Sequence, residues 1–97
     1  MEILLKITKN FEENKKRLLS DELVSRGSII FRDSESIDME GNFYYCLIEG
    51  TEEIIQKVKE LTNEDINIIE GKEKKEVIER IKEDEAKAEE GLGFIFR

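Results

Sequence analysis

The sequence predicts an α+β domain of the ferredoxin-like, split βαβ type (β-α-β-β-α-β) with an added C-terminal helix and strand, over residues 1–97. The first observation is an unbroken run of apolar and aromatic side chains at residues 43–48, which indicates a strand covered on both faces. The second is a tight break at Glu49-Gly50, followed by an amphipathic helix over residues 51–61 that must fold back onto its own sheet. The third is the alternation of strand-like and helix-like hydrophobic periods along the rest of the chain.

A strand, a helix and a second strand are predicted in the first third of the chain. Residues 1–8 place apolar side chains at alternate positions, which is the period of a strand with one buried face. Asn10 is a candidate N-cap of the following helix, and Gly27 is suited to end that helix after an interruption at residues 20–21. The consecutive apolar residues that come next predict the second strand over residues 28–32.

Further helices and strands are predicted in the second half of the chain. Thr51 is a candidate N-cap for the second helix, and a short strand over residues 65–70 follows that helix. A third helix is predicted over residues 72–90, ended by Gly91. Because a frayed chain end is usually polar, the apolar residues 94–96 predict a last strand tied into the sheet.

The order of these elements also predicts how the sheet is assembled. The strands at residues 1–8 and 43–48 are expected to lie side by side in the middle of the sheet and to pair in parallel. Right-handed crossovers put the first two helices on one face of the sheet. The third helix either covers part of the other face or extends the same helical layer, and the residues do not decide between these two arrangements.

The composition narrows the classes of function. A net charge of −8 without a basic stripe disfavours binding of nucleic acid, because phosphates are bound through lysine and arginine. No apolar run approaches the ~18 residues of a membrane-spanning helix, and the N-terminal segment is too short and too alternating for a signal peptide. A cytoplasmic protein is therefore expected. Charged residues make up 41% of the chain, which resembles the residue usage of thermophile proteins.

The sequence offers little support for catalysis: two carboxylates could hydrolyse glycosides, but an acidic domain of 97 residues leaves little room for a sugar cleft. There is no histidine, the usual base near neutral pH, so serine- or cysteine-based triads and zinc sites lack their partners. The single cysteine, Cys46, lies in the middle of an apolar run and is predicted to be a small core residue. The protein is therefore predicted not to be an enzyme.

Two acidic segments are candidate cation sites. Calcium prefers oxygen ligands, and the segment after the second strand offers Asp33, Glu35, Asp38 and Glu40. The EF-hand pattern is absent there, and the alternative is a solvated hairpin whose strands extend into solvent. The second group is typical of a helix surface and comprises Asp84, Glu85, Glu89 and Glu90. If the fold brings the two groups together, their mutual repulsion favours a bound cation.

The end of the chain, residues 85–96, resembles the ending of a small uncharacterised archaeal protein family. The resemblance rests on the Gly-x-Gly-x-Ile-Phe tail, which is formed by Gly91, Gly93, Ile95 and Phe96. It covers only this end of the chain and implies no activity.

These observations predict a non-catalytic, small acidic interaction or regulatory domain. Its partner is expected to be another protein or a second copy of the chain, bound at the less buried sheet face or at the edge of the terminal strand. Lys6, Arg32 and Tyr44 are the residues expected to share that sheet face. The alternative is a protein that binds calcium or another divalent cation through residues 33–41.

Overall fold

A computed structural model describes the backbone of residues 1–95 and the side chains of residues 1–87. Within these residues the chain forms four strands and three α-helices in the order β-α-β-β-α-β-α. They are β1 (Glu2–Ile7), α1 (Phe11–Ser20), β2 (Ser28–Asp33), β3 (Tyr44–Glu49), α2 (Glu52–Leu61), β4 (Ile66–Ile69) and α3 (Gly71–Ile95). Short 3-10 helices at Val24–Arg26 and Glu35–Ile37 precede and follow β2. The predicted α+β class is confirmed.

The strands form one antiparallel sheet in the order β2-β3-β1-β4, so β1 and β3 lie in the middle, as predicted. Their predicted parallel pairing is wrong, because β1 and β3 are antiparallel, with Lys6 opposite Tyr45. The crossover through α1 leaves β2 running in the same direction as β1, and the connection from β2 to β3 then reverses the chain. A strand that follows this reversal must run against β1.

One face of the sheet is covered by α1 and α2. Ile3, Leu5 and Ile7 alternate along β1 and point to this face, where they pack with Cys46 and Ile48 of β3. The helices and their connections contribute the buried side chains of Leu18, Val24, Ile54, Ile55 and Val58. Cys46 is fully buried in this cluster, which confirms that it is a small core residue.

The opposite face is covered by α3, which settles the placement that the sequence left open. Val77, Ile78 and Ile81 of this helix are buried against apolar residues of the strands. These strand residues are Leu4, Leu47 and Ile69. Both faces of β3 are covered, as its unbroken apolar run predicted.

The helix α3 continues through Gly91 to Ile95, so the predicted helix stop at Gly91 is wrong. The sequence predicted a strand over residues 94–96. This prediction is wrong for residues 94 and 95, which belong to α3, and Phe96 lies outside the described residues. A glycine inside a helix costs about 1 kcal/mol relative to alanine, which weakens a helix without ending it. A run of only three apolar residues is also too short for its hydrophobic period to distinguish a strand from a helix.

No helix in the described part of the chain is long and apolar enough to cross a membrane.

Local hydrogen bonds explain where the first two helices begin and end. The helix α1 ends at Ser20, and the carboxylate of Asp21 accepts two backbone N–H bonds at the start of the next turn, so the predicted interruption is confirmed. Asn10 precedes α1 but its side chain makes no capping bond, so the predicted cap is wrong there. Thr51 does cap α2, since its hydroxyl accepts a hydrogen bond from the N–H of Ile54 at 3.3 Å.

Candidate functional site

The register of the sheet places polar side chains in one row on the face that α3 covers. Arg32 of β2, Tyr45 of β3 and Lys6 of β1 are direct neighbours across the strands and therefore share this face. The adjacent row on the same face is apolar and consists of Ile30, Leu47, Leu4 and Ile69. The apolar side of α3 packs on this second row, whereas the polar row meets acidic residues of α3. Lys6 contacts Glu73, and Arg32 contacts Asp84.

This arrangement corrects one prediction from the sequence. Lys6 and Arg32 do share a sheet face, but Tyr44 lies on the opposite face, where its ring stacks on Phe11 with centroids 3.6 Å apart. The aromatic residue on the same face as Lys6 is Tyr45. Successive residues of a strand point to opposite faces, so a register that differs by one residue exchanges Tyr44 for Tyr45.

An open groove of about 690 Å³ lies beside the polar row, between residues 38–43 and the first turns of α3. We call it the acidic groove. It is lined by Lys6, Asp38, Met39, Glu40, Gly41, Phe43, Tyr45, Glu73, Glu76 and Arg80. Met39 and the half-buried ring of Phe43 form its apolar wall, and the Phe43 ring contacts Tyr45 edge to face with centroids 6.4 Å apart.

Lys6 is the most buried cation of the acidic groove. Its ammonium lies 2.7 Å from the Glu73 carboxylate and 4.6 Å from the centroid of the Phe43 ring, and its side chain is only 18% exposed. Burial lowers the pKa of Lys6, but the hydrogen bond to Glu73 and the nearby Tyr45 outweigh this effect, so the pKa lies above its ordinary value. Lys6 is therefore a fixed cation at neutral pH.

Tyr45 is almost fully buried, and its hydroxyl donates a hydrogen bond to the Glu73 carboxylate at 3.4 Å. Burial is the main cause that raises the pKa of Tyr45, while Lys6 lowers it and Glu73 raises it further. The phenol is thus neutral near pH 7 and serves as a donor. Lys6 and Tyr45 together hold the Glu73 carboxylate at the start of α3.

The segment that carries the apolar wall is folded on itself by Ser34. The buried Ser34 hydroxyl donates to the carbonyl of Gly41 at 2.8 Å and accepts from the N–H of Phe43 at 3.3 Å. Gly41 has a φ of 106°, and a side chain there would collide with the Phe43 ring. Only glycine fits this turn without strain, so Gly41 leaves the space that the Phe43 ring occupies.

The same segment is fastened to α3 by Arg80. The guanidinium donates to the carbonyl oxygens of Ile37 at 3.1 Å and Asp38 at 3.0 Å. The side chain of Ile37 is buried in the same core as α3. The predicted hairpin that extends into solvent is therefore wrong, because an apolar anchor and a cation hold the segment against the helix.

The acidic groove carries more carboxylates than cations. Two of its four carboxylates are in ion pairs, namely Lys6–Glu73 and Glu76–Arg80. Asp38 and Glu40 are exposed, and among the described side chains neither has a cation within salt-bridge distance. The groove thus presents two uncompensated negative charges next to its apolar wall.

The structure separates the four candidate calcium ligands. Asp33 accepts a hydrogen bond from the N–H of Ser36 at 2.6 Å and so starts the 3-10 helix, in which Glu35 is exposed. Only Asp38 and Glu40 reach the acidic groove. Over the described residues, no three His, Cys, Asp or Glu side chains are grouped so that they could hold a metal ion. Calcium binding through these residues stays a prediction.

The fold does bring part of the second acidic group close to the first. A cavity of about 50 Å³ between the 3-10 helix and α3 is lined by both Asp38 and Asp84. Arg80 lines the same cavity, so a cation of the protein already lies among these acids. The repulsion that was expected to favour a bound cation is thereby reduced. The side chains of Glu89 and Glu90 lie outside the described residues.

The residues that α3 contributes to the acidic groove were not predicted from the sequence. Glu73, Glu76 and Arg80 recur at helical spacing, which indicates that they share one margin of the helix. That spacing does not tell which strands or loops they meet.

No protein-family model, curated protein or solved structure matches the chain.

Proposed function

We propose that this protein is a non-catalytic interaction domain, and that its acidic groove binds a basic, partly apolar segment of a partner protein. The observation that carries this proposal is the position of two uncompensated carboxylates, Asp38 and Glu40, next to the apolar wall of Met39 and Phe43. The net charge of −8 attracts a basic partner over the whole surface, and the groove adds a defined place for it.

Lysine and arginine side chains match both features of the groove. Their aliphatic stems can lie along Met39 and Phe43 while the charged head reaches Asp38 or Glu40. Arginine suits this geometry better, because its planar guanidinium donates two parallel hydrogen bonds to one carboxylate. A neighbouring aliphatic residue of the partner then completes the apolar contact.

The acidic groove is also held in shape before a ligand arrives. Arg80 and Ser34 fix the segment that carries Asp38 and Glu40, and the Lys6 ion pair fixes the facing turn of α3. A preformed site loses little conformational entropy on binding, which favours recognition of a short segment.

The protonation of the buried groups supports binding rather than catalysis. The pKa of Lys6 and the pKa of Tyr45 are both raised, so neither group exchanges protons near neutral pH. Burial raises the pKa of the Cys46 thiol to about 12, which keeps the sulfur protonated and unreactive. Fixed charges beside an apolar wall are suited to recognition.

We also propose that the first six elements form a ferredoxin-like domain. The order β-α-β-β-α-β and the antiparallel strand order β2-β3-β1-β4 support this assignment, as do α1 and α2 on one face. The helix α3 covers the second sheet face, which is open in the six-element plan. On that face, the surface left for a partner is therefore the margin, where the acidic groove lies.

Fluorescence anisotropy with defined peptides tests the proposal. The chain contains no tryptophan, so one tryptophan in a short peptide of alternating arginine and leucine reports binding without interference. The test variant is Asp38→Asn with Glu40→Gln, and we expect its affinity to fall by about tenfold. The matched control, Glu22→Gln with Glu53→Gln, removes two exposed charges outside the groove and should change the affinity by less than about twofold.

Two results would contradict the proposed function. An equal loss of affinity in both double variants would mean that only the overall charge attracts the peptide. Equal binding of a peptide of alternating glutamate and leucine would exclude recognition of basic segments. In either case the acidic groove would not be the binding site that we propose.

A further inference from the structure

We infer that two copies of this chain pair through the outer edges of β4, antiparallel about a twofold axis at Ile68. This pairing joins two four-stranded sheets into one continuous sheet. A second copy is the occupant of the edge because the edge is complementary to itself. The inference does not depend on the acidic groove, whose lining does not include the outward-facing residues of β4.

The free edge of β4 follows from the register of the sheet. The N–H of Thr8 donates to the carbonyl of Asp65, and bonded positions alternate along an antiparallel pair. Asn67 and Ile69 therefore also bond to β1. The backbone N–H and carbonyl of Ile68, which lies between them, point away from the sheet.

The outward N–H groups of Ile68 and Glu70 each find a carbonyl in a second copy. The N–H of Ile66 is already used by the carbonyl of Asn63 at 3.0 Å, but the Ile66 carbonyl faces outward. In a symmetric pair centred on Ile68, each Ile68 N–H meets the Ile68 carbonyl of the other copy. Each Glu70 N–H then meets the Ile66 carbonyl of the other copy. Every donor of this ladder thus faces an acceptor.

The side chains at this edge also favour a second copy. Ile68 is 37% exposed and is one of three large apolar side chains left exposed among the described residues. Symmetric pairing places the two Ile68 side chains beside each other on the same sheet face, where each covers the other. Glu70 lies opposite Ile66 in this register, so like charges do not meet directly in the ladder.

The other edge of the sheet is closed by Arg32. Every second residue of β2 is hydrogen-bonded to β3, in step with Ser34, whose N–H donates to the carbonyl of Phe43. Phe31 lies between two bonded positions, so its backbone points outward. The Arg32 guanidinium donates to this outward carbonyl at 2.8 Å and is held by Asp84 at 2.9 Å. A strand added at β2 has to displace Arg32, so pairing stops at two copies instead of growing into a filament.

The dimer is expected to be weak and to depend on salt. A ladder of four-residue strands buries far less than the ~1,200 Å² of a standard interface, so we expect a dissociation constant on the order of 100 μM. Each copy carries a net charge of −8, and salt screens the repulsion between copies. Added salt should therefore strengthen the pairing.

Sedimentation velocity at protein concentrations from about 10 μM to about 1 mM, in low and in high salt, tests the inference. The unmodified protein should shift from monomer to dimer, and high salt should move this shift to lower concentration. Ile68→Pro removes the outward N–H without breaking a bond to β1, and this variant should stay monomeric. Ile68→Val keeps the N–H and an apolar side chain, and it should dimerise like the unmodified protein.

Hydrogen exchange at the Ile68 amide gives a second readout that needs no substitution. Its rate should fall by about threefold or more as the protein concentration rises through the dimer transition. A monomer under all these conditions, or a dimer whose formation leaves this rate unchanged, overturns the inference. If Ile68→Pro does not fold, Ile68→Lys replaces it, and a dimer that survives in the folded variant also overturns the inference.

Discussion

The ammonium of Lys6 and the carboxylate of Glu73 lie 2.7 Å apart, and this pair joins a central strand of the sheet to the first turn of α3. Lysine is rarely placed in a strand that is covered on both faces, unless a partner compensates its charge. The Phe43 ring adds a cation–π contact to the same ammonium at 4.6 Å. Lys6 therefore sets the position of α3 relative to the apolar wall of the acidic groove.

Lys6→Met should lower the free energy of unfolding by about 1 kcal/mol, because Glu73 loses its cation and stays next to the buried Tyr45. Urea denaturation measures this change. The matched control is Lys57→Met, since Lys57 is more exposed and its closest acids are 3.8 Å and 3.9 Å away. That control should cost less than about 0.5 kcal/mol. Equal costs for the two variants would contradict the structural role of Lys6.

Stability should fall at alkaline pH. The pKa of Lys6 and the pKa of Tyr45 are both raised in the folded protein, so the folded state holds these protons more tightly than the unfolded chain does. The stabilisation of the fold by these two protonated groups is complete below their ordinary pKa values of 10.5 and 10.0. It is lost as the pH rises through their higher pKa values in the folded protein. Urea midpoints between about pH 8 and about pH 11 measure the loss. Tyr45→Phe should show a smaller alkaline loss, and an unchanged loss would contradict this assignment.

Asn14→Leu should lower the free energy of unfolding by about 2 kcal/mol. Asn14 is 2% exposed, and its side-chain N–H groups donate to the carbonyls of Lys9 and Asn10. Its oxygen accepts from the side chain of Asn63 at 3.0 Å. The substitution removes the partner of the Lys9 carbonyl and of the Asn63 amide, whereas the Asn10 carbonyl keeps its bond from the backbone N–H of Asn14. Urea denaturation should register this loss. Asn67→Leu, at an exposed position, is the control, and a loss there as large as that of Asn14→Leu would contradict this role.

Arg32→Ala should open the second edge of the sheet. At concentrations where the unmodified protein forms dimers, this variant should form larger assemblies, because the outward carbonyl of Phe31 becomes available. Sedimentation velocity measures the size distribution. Arg26→Ala removes the same charge at an exposed position and should leave the dimer unchanged. Dimers alone in Arg32→Ala would be evidence against its role at the edge.

Calcium should cause only weak, unsaturable shifts in backbone amide spectra up to about 1 mM, with magnesium as the control. The candidate ligands do not converge, since Asp33 is bonded to the N–H of Ser36 and only Asp38 and Glu40 reach the groove. Saturable shifts confined to residues 33–41, unmatched by magnesium, would instead support the calcium alternative. They should then disappear in the variant Asp33→Asn with Asp38→Asn.

Local signals were sufficient to predict several elements of the fold. The run at residues 43–48 reports burial of both strand faces, whichever elements cover them. The cap at Thr51 depends only on residues within one helical turn. These features do not require knowledge of distant partners, and for this reason they could be predicted from the sequence.

Features that depend on distant partners could not be predicted in the same way. The hydrophobic stripe of α3 shows that one side is buried but not which sheet face it covers. The exchange of Tyr44 for Tyr45 beside Lys6 depends on a one-residue choice of register. The acidic groove arises only when this register, the segment at residues 38–43 and α3 come together.

Backbone amide NMR of the labelled protein during titration with the arginine–leucine peptide shows directly whether the acidic groove binds the peptide. We predict saturable shifts confined to residues 38–43 and 73–80, and their loss in the variant Asp38→Asn with Glu40→Gln. Shifts that spread over every acidic surface without saturating would show only screening of charge. That result, or saturable shifts centred elsewhere, would contradict binding in the acidic groove.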